Sequence, residues 1–241
     1  MLIGNAVVGQ SGGPTTAINA TLTGVVKGAI ASKYIPKIYG MRNGIEGMLE
    51  ERLVDLGEIF LDTEKLDMLV HTPAAALGSC RRKLPDPYSE EEKDVALYNR
   101  IFEVFQKYGI RYFFYIGGND SMDTVMKLDR YFKENKIDIK VIGIPKTIDN
   151  DLPMTDHTPG FGSAAKYVAT TMQEIIRDSS VYSISSVTIV EIMGRDAGWL
   201  TASSVLAKYL TGAGPDLVYL PEKPFSEESF IRDVNKKLSS G

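Results

Sequence analysis

The chain has 241 residues, of which 44% are hydrophobic and 24% are charged, the composition of an ordinary globular protein. Its formal net charge of -4 lacks the basic excess that nucleic-acid binding requires, and its apolar runs fall short of the roughly 20 residues of a membrane-spanning helix. The single cysteine, Cys80, excludes an internal disulfide and fits a reducing compartment. We therefore expect a cytoplasmic protein whose partners include neither nucleic acid nor a membrane.

Short apolar strands alternate with amphipathic helices along the chain, which is the pattern of an α/β fold with a mostly parallel sheet covered on both faces. The first strand ends at residues 6–8, and the turn Ser11-Gly12-Gly13-Pro14 leads into a helix. That helix carries apolar side chains at the spacing of one face, namely Ile18, Leu22, Val25, Val26 and Ala29. We expect this face to pack against the sheet.

The middle of the chain repeats the order of strand, glycine turn and helix. A helix is predicted at 90–108, where Gly109 ends it, and a strand follows at 112–116. The segment 117–121 then opens another helix, and residues 141–144 are predicted to form the next buried strand. The remaining predicted elements are a helix at 164–177, a strand at 187–192, a helix after Asp196, a strand at 217–220 and a helix from Glu227.

Two glycine-rich loops follow predicted strands and precede predicted helices. Ligands of open α/β sheets bind beyond the carboxyl ends of the strands, and helix N-termini attract anions, so both loops could hold phosphate oxygens. Glycine is also needed for tight turns, and for either loop alone the structural and functional interpretations carry equal weight. The chain lacks the G-x-x-x-x-G-K-[ST] phosphate-binding loop, which argues against an ordinary nucleoside-triphosphatase.

The loop after the strand at 141–144 contains the densest cluster of reactive side chains. Asp149 and Asp151 are two positions apart, and in an extended backbone such side chains point the same way. One carboxylate would then remove a proton from an attacking hydroxyl while the other holds a metal ion, and Lys146 would offset phosphate charge. The alternative is an Asx-rich turn in which the acids bond their own backbone. The adjacent lysine and the two glycine loops favour the functional interpretation.

Six short segments resemble the phosphofructokinase family and occur in the same order as in that family. They are Ser11-Gly12-Gly13, Leu77-Gly78-Ser79-Cys80-Arg81, Gly117-Gly118-Asn119-Asp120, Thr147-Ile148-Asp149-Asn150-Asp151, Met193-Gly194-Arg195 and Pro221-Glu222. The fourth and fifth segments are the specific ones, since glycine loops alone match several kinase superfamilies. The resemblance implies Rossmann-like three-layer domains with mostly parallel sheets, and it implies that the family's C-terminal part lies beyond this chain.

The resemblance also implies roles for individual residues. Asp149 would be the general base toward the 1-hydroxyl of fructose 6-phosphate, and Thr147 would orient that hydroxyl or the moving phosphoryl group. Asp151 and Asn119 would lie near Mg²⁺, although many relatives have an aspartate at the position of Asn119. The residues implied to line the donor phosphates are Gly13, Arg81, Gly118 and Ser121. The residues implied to contact the sugar phosphate are Thr147, Asp149, Met193, Gly194, Arg195 and Glu222.

Two positions bear on the choice of phosphoryl donor. In the family, an aspartate after the G-G-x opening occupies the space of a nucleotide's α-phosphate and repels it, and Asp120 stands there. A lysine before T-I-D-N-D resembles the pyrophosphate users, and Lys146 fills that position, although some ATP users carry it too. The alternative role for Asp120 is a helix N-cap. We therefore predict pyrophosphate as the donor, with an ATP-dependent phosphofructokinase as the alternative.

The resemblance further predicts two lobes and an assembly. Residues 1–158 would bind pyrophosphate, residues 159–241 would form part of the fructose 6-phosphate lobe, and the protein would be a homodimer or homotetramer. Ser186 stands where many ATP-dependent relatives lend an arginine to a neighbouring subunit's site. A truncated phosphosugar-binding module is the non-enzymatic alternative, whereas an NAD kinase or a lipid kinase explains neither 147–151 nor 193–195.

Overall fold

The computed structural model describes residues 2–15 and 17–240, and the chain divides into two compact units, residues 1–146 and 147–241. These units are defined by packing, whereas the lobes 1–158 and 159–241 are predicted from ligand roles and remain a prediction. Lys146 is the last residue of the first unit, and Thr147 is the first residue of the second.

Unit one is built on a five-stranded sheet in the order β3-β2-β1-β4-β5. The strands are β1 (Asn5–Gln10), β2 (Ile38–Met41), β3 (Leu53–Asp55), β4 (Ile110–Gly117) and β5 (Lys140–Pro145). β1 runs parallel to both β2 and β4, β4 runs parallel to β5, and β3 is antiparallel to β2. The prediction of a mostly parallel sheet is confirmed.

The two faces of the sheet bury alternate side chains of the same strands. On β1, Ala6 and Val8 pack on one face and Val7 packs on the other, because successive side chains of a strand point to opposite sides. The helices over the Ala6 face are α1 (Ala17–Ile30), α3 (Leu56–Ile59) and α4 (Thr63–His71). Those over the Val7 face are α2 (Gly44–Leu49), α5 (Glu92–Lys107) and α6 (Asn119–Glu134). Unit one therefore has the three-layer arrangement that was predicted.

The long helices of unit one bury the faces that their apolar spacing predicts. Four of the five predicted apolar residues of α1 are buried, and Val25 is half-buried against the same cluster. α5 buries Ile101 and Val104 and is followed by Gly109 in the left-handed conformation, with φ +59°. α6 buries Leu128 and Phe132. In each case burial of one apolar face supplies the stability that helix propensity alone does not.

None of the elements between residues 38 and 71 was predicted from the sequence. β2, α2, β3, α3 and α4 are between three and nine residues long, too short to repeat a strand or helix period often enough to be recognised. Two of the turns among them depend on Asn43 and Glu51, which have φ values of 59° and 57°. Glu51 reverses the chain without the glycine or proline that marks a turn in a sequence, whereas Asn43 precedes Gly44, which has φ +59°, and this N-G turn signal went unrecognised.

Three predicted strands differ from the structure. The strand at 141–144 exists as β5, but the expectation that it is buried was wrong, because β5 lies at the sheet edge and Ile142 is 42% exposed. Residues 187–192 and 217–220 form no strand. A strand is stabilised by hydrogen bonds to a neighbouring strand, and neither segment pairs with any strand that the structure describes. Apolar composition alone therefore did not produce a strand at either place.

Unit two is formed by helices and loops in the described residues. Its α-helices there are α7 (Phe161–Ser179), α8 (Trp199–Ser203), α9 (Ala207–Thr211) and α10 (Glu227–Ser240). α7 packs against α8 and α9 and buries Ala165, Ala169 and Met172. The predicted helices at 164–177, after Asp196 and from Glu227 are confirmed. Over residues 2–15 and 17–240, the structure contains no helix with the length and apolar character to cross a membrane.

Glu51 connects the turn after α2 to α5. Its carboxylate accepts hydrogen bonds from Arg100 at 2.7 Å and from Lys107, and the two bonds, that from Lys107 first, lower the pKa of Glu51 from 4.5 to about 2. Since the folded-state pKa is the lower one, the stabilisation is present above about pH 4.5 and is lost as the pH falls toward about 2. We expect Glu51→Gln to lower the Tm at neutral pH and to have progressively less effect over that acid range, measured by thermal unfolding. A Tm difference that stayed constant down to the acid end would contradict a charge-based cause.

Candidate active site

Three polar loops of unit one meet at one edge of the sheet. β1, β4 and β5 are neighbouring parallel strands, so their carboxyl ends lie side by side. The backbone N–H of Ser11 donates to the carbonyl of Ile116 at 2.9 Å, and that of Lys146 donates to the carbonyl of Gly117 at 2.9 Å. The ends of the first glycine loop, the second glycine loop and the lysine segment are thereby brought together, as the sequence analysis expected.

Gly12 lies at this edge, close to Lys146 and to the second glycine loop. It has φ +76°, and a Cβ placed on it would lie 3.5 Å from Lys146 Nζ and 3.6 Å from the backbone nitrogen of Gly118. An ammonium group and a backbone amide nitrogen thus flank the bare backbone of the first loop. Next to it, Gly13 is exposed, and no described atom outside its chain neighbours lies within 4 Å of a Cβ placed there. The arrangement suits an anion such as a phosphate group.

The second glycine loop is shaped by close packing. A Cβ placed on Gly117 would lie 2.0 Å from Ser121 Oγ and 3.1 Å from the Ser11 carbonyl, so glycine is required there. Gly118 is the N-cap residue of the 16-residue helix α6, and Ser121 is buried with its N–H bonded to the Gly118 carbonyl at 3.0 Å. Ser121 therefore holds the loop in shape, and its predicted contact with the donor remains a prediction.

The segment 77–84 passes directly beside the first glycine loop. Ser11 Oγ donates to the Cys80 carbonyl at 3.0 Å, and Ser79 Oγ donates to the Gly12 carbonyl at 2.6 Å. Cys80 is buried, as expected for a small apolar side chain, whereas Arg81 is exposed. The segment therefore fixes the backbone next to Gly12 and leaves the guanidinium of Arg81 accessible to a ligand.

Asp120 does not have the capping role considered as its alternative. The N-cap of α6 is Gly118, whose position carries no side-chain cap hydrogen bond in the described part of the chain. The Asp120 carboxylate instead pairs with Lys83 Nζ at 2.9 Å, while Asn119 beside it is exposed. The sequence analysis missed Lys83, because a partner 37 positions away leaves no local pattern. Both Asp120 and Asn119 lie in the first turn of α6, next to the Gly118 amide.

The loop that carries the two aspartates begins unit two and is held by Asn150. This residue is buried, has φ 59°, donates from Nδ2 to the Asp156 carbonyl at 3.1 Å and accepts from the Thr158 N–H at 2.8 Å. The argument that an extended backbone makes Asp149 and Asp151 point the same way was therefore wrong, because the residue between them is left-handed rather than extended. Asn150 went unrecognised as a positioning residue, although asparagine is among the residues that adopt this conformation most readily.

Thr147, Asp149 and Asp151 are all half-buried in this loop. The backbone N–H of Asp149 donates to Thr147 Oγ1 at 3.0 Å, which leaves the hydroxyl proton of Thr147 to donate elsewhere. Asp151 Oδ1 is buried and has no hydrogen-bond partner among the described residues. A buried carboxylate oxygen without a donor fits a cation ligand. The described residues contain no cluster of three or more His, Cys, Asp or Glu side chains suited to a metal, so such an ion would complete its shell with phosphate oxygens and water.

The predicted sugar-phosphate residues lie on loops of unit two. Gly194 has φ +137°, and a Cβ placed on it would lie 2.3 Å from the Ala197 carbonyl, so this turn requires glycine. Arg195 is assigned to the site by the family resemblance, and a position directly after a strand at 187–192 does not support that assignment, since no strand forms there. The Arg195 guanidinium pairs with Asp196 at 3.2 Å and is exposed, as is Met193. Their contact with substrate remains a prediction.

Glu222 has a structural contact in addition to its predicted one. Its Oε1 accepts a hydrogen bond from the Gly198 N–H at 2.7 Å, at the residue that precedes α8. A Cβ placed on Gly198 would lie 2.7 Å from Glu222 Oε2, so the close approach depends on glycine. The carboxylate is thereby held against the start of α8, and its predicted bonds to sugar hydroxyls would have to use the remaining acceptor capacity.

Residues 5–241 match the family model described as Phosphofructokinase. The chain belongs to the phosphofructokinase family. It is 41% identical over 236 residues to the pyrophosphate--fructose 6-phosphate 1-phosphotransferase of Rhodospirillum rubrum, covering 98% of this chain and 55% of that protein. An ATP-dependent 6-phosphofructokinase of Glaesserella parasuis is more distant, at 31% identity over 96% of this chain and 64% of the relative.

A solved structure supports the same family and fold. The crystal structure of the pyrophosphate-dependent phosphofructokinase from Marinobacter aquaeolei aligns with a TM-score of 0.78 and 42% identity, covering 97% of this chain and 57% of that one. The chain therefore spans little more than half the length of these two pyrophosphate-dependent relatives. The predicted phosphofructokinase fold, with a mostly parallel sheet, is confirmed.

Proposed function

We propose that the full-length protein transfers a phosphoryl group from pyrophosphate to the 1-hydroxyl of fructose 6-phosphate, giving fructose 1,6-bisphosphate in a reversible reaction. The observation that carries the proposal is the sheet edge of unit one where the Lys146 ammonium and the Gly118 amide nitrogen flank the bare backbone of Gly12. The pyrophosphate-dependent names of the relatives at about 41% identity support the choice of donor. Both points favour an enzyme over a phosphosugar-binding module without catalysis.

The donor phosphates would be bound by unit one. Backbone amides at Gly13 and Gly118 would donate to phosphate oxygens, and the N-terminus of α6 would add its positive dipole. Arg81 would offer two parallel N–H donors, and Lys146 would place a point charge on the group being transferred. Because the transition state of phosphoryl transfer is loose, cations and positioning supply most of the rate acceleration.

The acceptor hydroxyl would be activated by the loop that starts unit two. Asp149 would accept the proton of the 1-hydroxyl as that oxygen attacks the terminal phosphorus, while the bond to the leaving phosphate breaks. Thr147 would donate its hydroxyl proton to an oxygen of the sugar or of the moving group. Asp149 follows Lys146 by three positions in the sequence. The left-handed Asn150 would keep the loop in one conformation.

Members of the family use a divalent metal ion, and we propose that here it is Mg²⁺. When bound, Mg²⁺ would neutralise charge on the phosphates. Asp151 is the residue best suited to hold it, because its Oδ1 is buried and has no hydrogen-bond donor in the described part of the chain. Asn119 would contribute a neutral oxygen where an aspartate would contribute a charge, which predicts weaker metal binding than in relatives with the aspartate.

The sugar phosphate would be contacted by Met193, Gly194 and Arg195, with Glu222 accepting from sugar hydroxyls. Arg195 is exposed and paired only with an exposed Asp196 in the described residues, so a substrate phosphate would compete readily for it. We expect the protein to act in the cytoplasm as a homodimer or homotetramer, on the strength of the family resemblance.

A two-donor assay tests the proposed function. Fructose 1,6-bisphosphate formation by the full-length protein is measured at saturating fructose 6-phosphate and Mg²⁺, once with pyrophosphate and once with ATP. We expect turnover with pyrophosphate and little or none with ATP. Turnover with ATP alone would establish the ATP-dependent alternative. Binding of fructose 6-phosphate without turnover of either donor would favour the non-catalytic module.

Asp120 gives a prediction about donor choice. Removing its side chain opens space in the first turn of α6 and removes a negative charge, so we expect Asp120→Gly to raise kcat/KM for ATP roughly tenfold or more. Asp123→Ala serves as the control, because Asp123 lies about one helical turn after Asp120 in α6 and pairs with Lys127 at 2.6 Å. No gain with ATP in Asp120→Gly would mean that other groups exclude the nucleotide.

A further inference from the structure

Lys83 is placed to act on the donor-selecting carboxylate of α6. Its ammonium lies 2.9 Å from Asp120 Oδ1, and the two side chains are 66% and 59% exposed. An ion pair this exposed adds little to folding stability. The pair differs from the other surface pairs of unit one in its position, because Asp120 lies in the first turn of α6, two residues after the N-cap Gly118, and Lys83 follows Arg81 by two residues.

The backbone that carries Lys83 is anchored on both sides. Cys80 and Leu84 are buried, at three positions before it and one position after it. The carbonyl of Cys80 accepts from Ser11 Oγ, and the carbonyl of Leu84 accepts from Lys127 Nζ at 2.8 Å, which links the segment to α6. The backbone at Lys83 is therefore held in place, and its side chain reaches Asp120 in the first turn of that helix.

An aspartate at the edge proposed to bind the phosphates repels every phosphoryl donor. Its negative charge repels pyrophosphate as well as a nucleotide, so charge alone cannot make it selective. A lysine 2.9 Å away offsets that charge and leaves the volume of the carboxylate in place. The space that the Asp120 carboxylate occupies excludes a nucleotide, which extends past its two terminal phosphates. It does not exclude pyrophosphate, which has only two phosphates.

We propose that Lys83 is a specificity-determining residue, which holds the Asp120 carboxylate in position and offsets its charge so that pyrophosphate is accepted and a nucleotide is not. The proposal rests on the proposed function. It assigns Lys83 no contact with the reacting atoms, because its partner is Asp120. It also requires that the effect of Lys83 on pyrophosphate disappear when Asp120 is absent.

The test is a double-mutant cycle in the full-length enzyme. We expect Lys83→Met to raise the KM for pyrophosphate roughly 3- to 10-fold with a smaller change in kcat, because the uncompensated Asp120 repels the donor. In the Asp120→Gly background, the same Lys83→Met change should leave that KM within about twofold. Lys83→Arg, which keeps the charge, should restore most of the binding. If Lys83→Met does not fold, Lys83→Gln replaces it in the cycle.

The matched control is Lys133→Met, which breaks the exposed Lys133–Asp129 pair of 2.6 Å near the other end of α6. It should leave the KM values for pyrophosphate and for ATP unchanged, and the single lysine variants should keep the wild-type Tm. An unchanged pyrophosphate KM in Lys83→Met, or an equal rise with and without Asp120, would overturn the proposal. These outcomes are read only against a parent enzyme that turns over pyrophosphate, so failure of the proposed function is seen first and separately.

Discussion

Replacing Asp149 by asparagine is expected to lower kcat with pyrophosphate and fructose 6-phosphate by about 10²- to 10⁴-fold, the range that a positioned general base contributes. Asparagine keeps the size of the side chain and most of its hydrogen bonding, but it cannot take the proton of the 1-hydroxyl. Asp149 is half-buried at the start of unit two. Because the residues proposed to bind pyrophosphate belong to unit one, the Kd for pyrophosphate should change little.

The measurement combines kcat at saturating substrates with the Kd for pyrophosphate from titration calorimetry. Asp156→Asn is the matched control, since Asp156 belongs to the same loop and its side chain is exposed, while only its backbone carbonyl is used to hold the loop. That control should keep wild-type kcat. Near-normal kcat in Asp149→Asn would show that another group accepts the proton, and a large loss of pyrophosphate binding would show that Asp149 acts on the donor.

The parts of this fold that a sequence can predict are those set by repeated local patterns. The apolar face of α1 and the strand that becomes β4 were predicted because each extends over several periods of its own geometry. The strands expected at 187–192 and 217–220 do not form, because pairing requires a neighbouring strand and a sequence pattern does not name one. The edge position of β5 was missed for the same reason.

In the candidate site, too, local sequence patterns predicted some features, and contacts between residues far apart in sequence could not be predicted. The glycine loops and Lys146 could be placed at one sheet edge from strand order and chain connectivity alone, which the structure bears out for unit one. The partnership of Lys83 and Asp120 joins residues distant in sequence, so no spacing pattern reports it. The backbone at Asn150 was expected to be extended, and it is left-handed. Asparagine is compatible with both conformations, and its hydrogen bonds within the loop determine which of them it adopts.

Asn150→Ala is expected to lower kcat about 100-fold while changing the KM for each substrate much less, because displacement of a catalytic group by about 1 Å has effects of this size. The two bonds of Asn150 close the loop onto the Asp156 carbonyl and the Thr158 N–H. Alanine removes both bonds and disfavours the left-handed backbone by about 1–2 kcal/mol. Leaving the two backbone groups without partners adds about 1–3 kcal/mol for each that stays buried. We therefore also expect a lower Tm.

Three substitutions separate the bonds of Asn150 from its backbone conformation. Asn150→Gly keeps the left-handed turn and loses both bonds, whereas Asn150→Asp keeps an oxygen that can accept from Thr158. We expect the smallest loss of kcat for aspartate, a larger loss for glycine and the largest for alanine. Asn135→Ala is the control, because it removes an exposed asparagine whose Nδ2 donates to the Tyr131 carbonyl at 2.9 Å. If glycine and alanine lowered the Tm equally and neither lowered kcat, Asn150 would stabilise the loop without positioning the base.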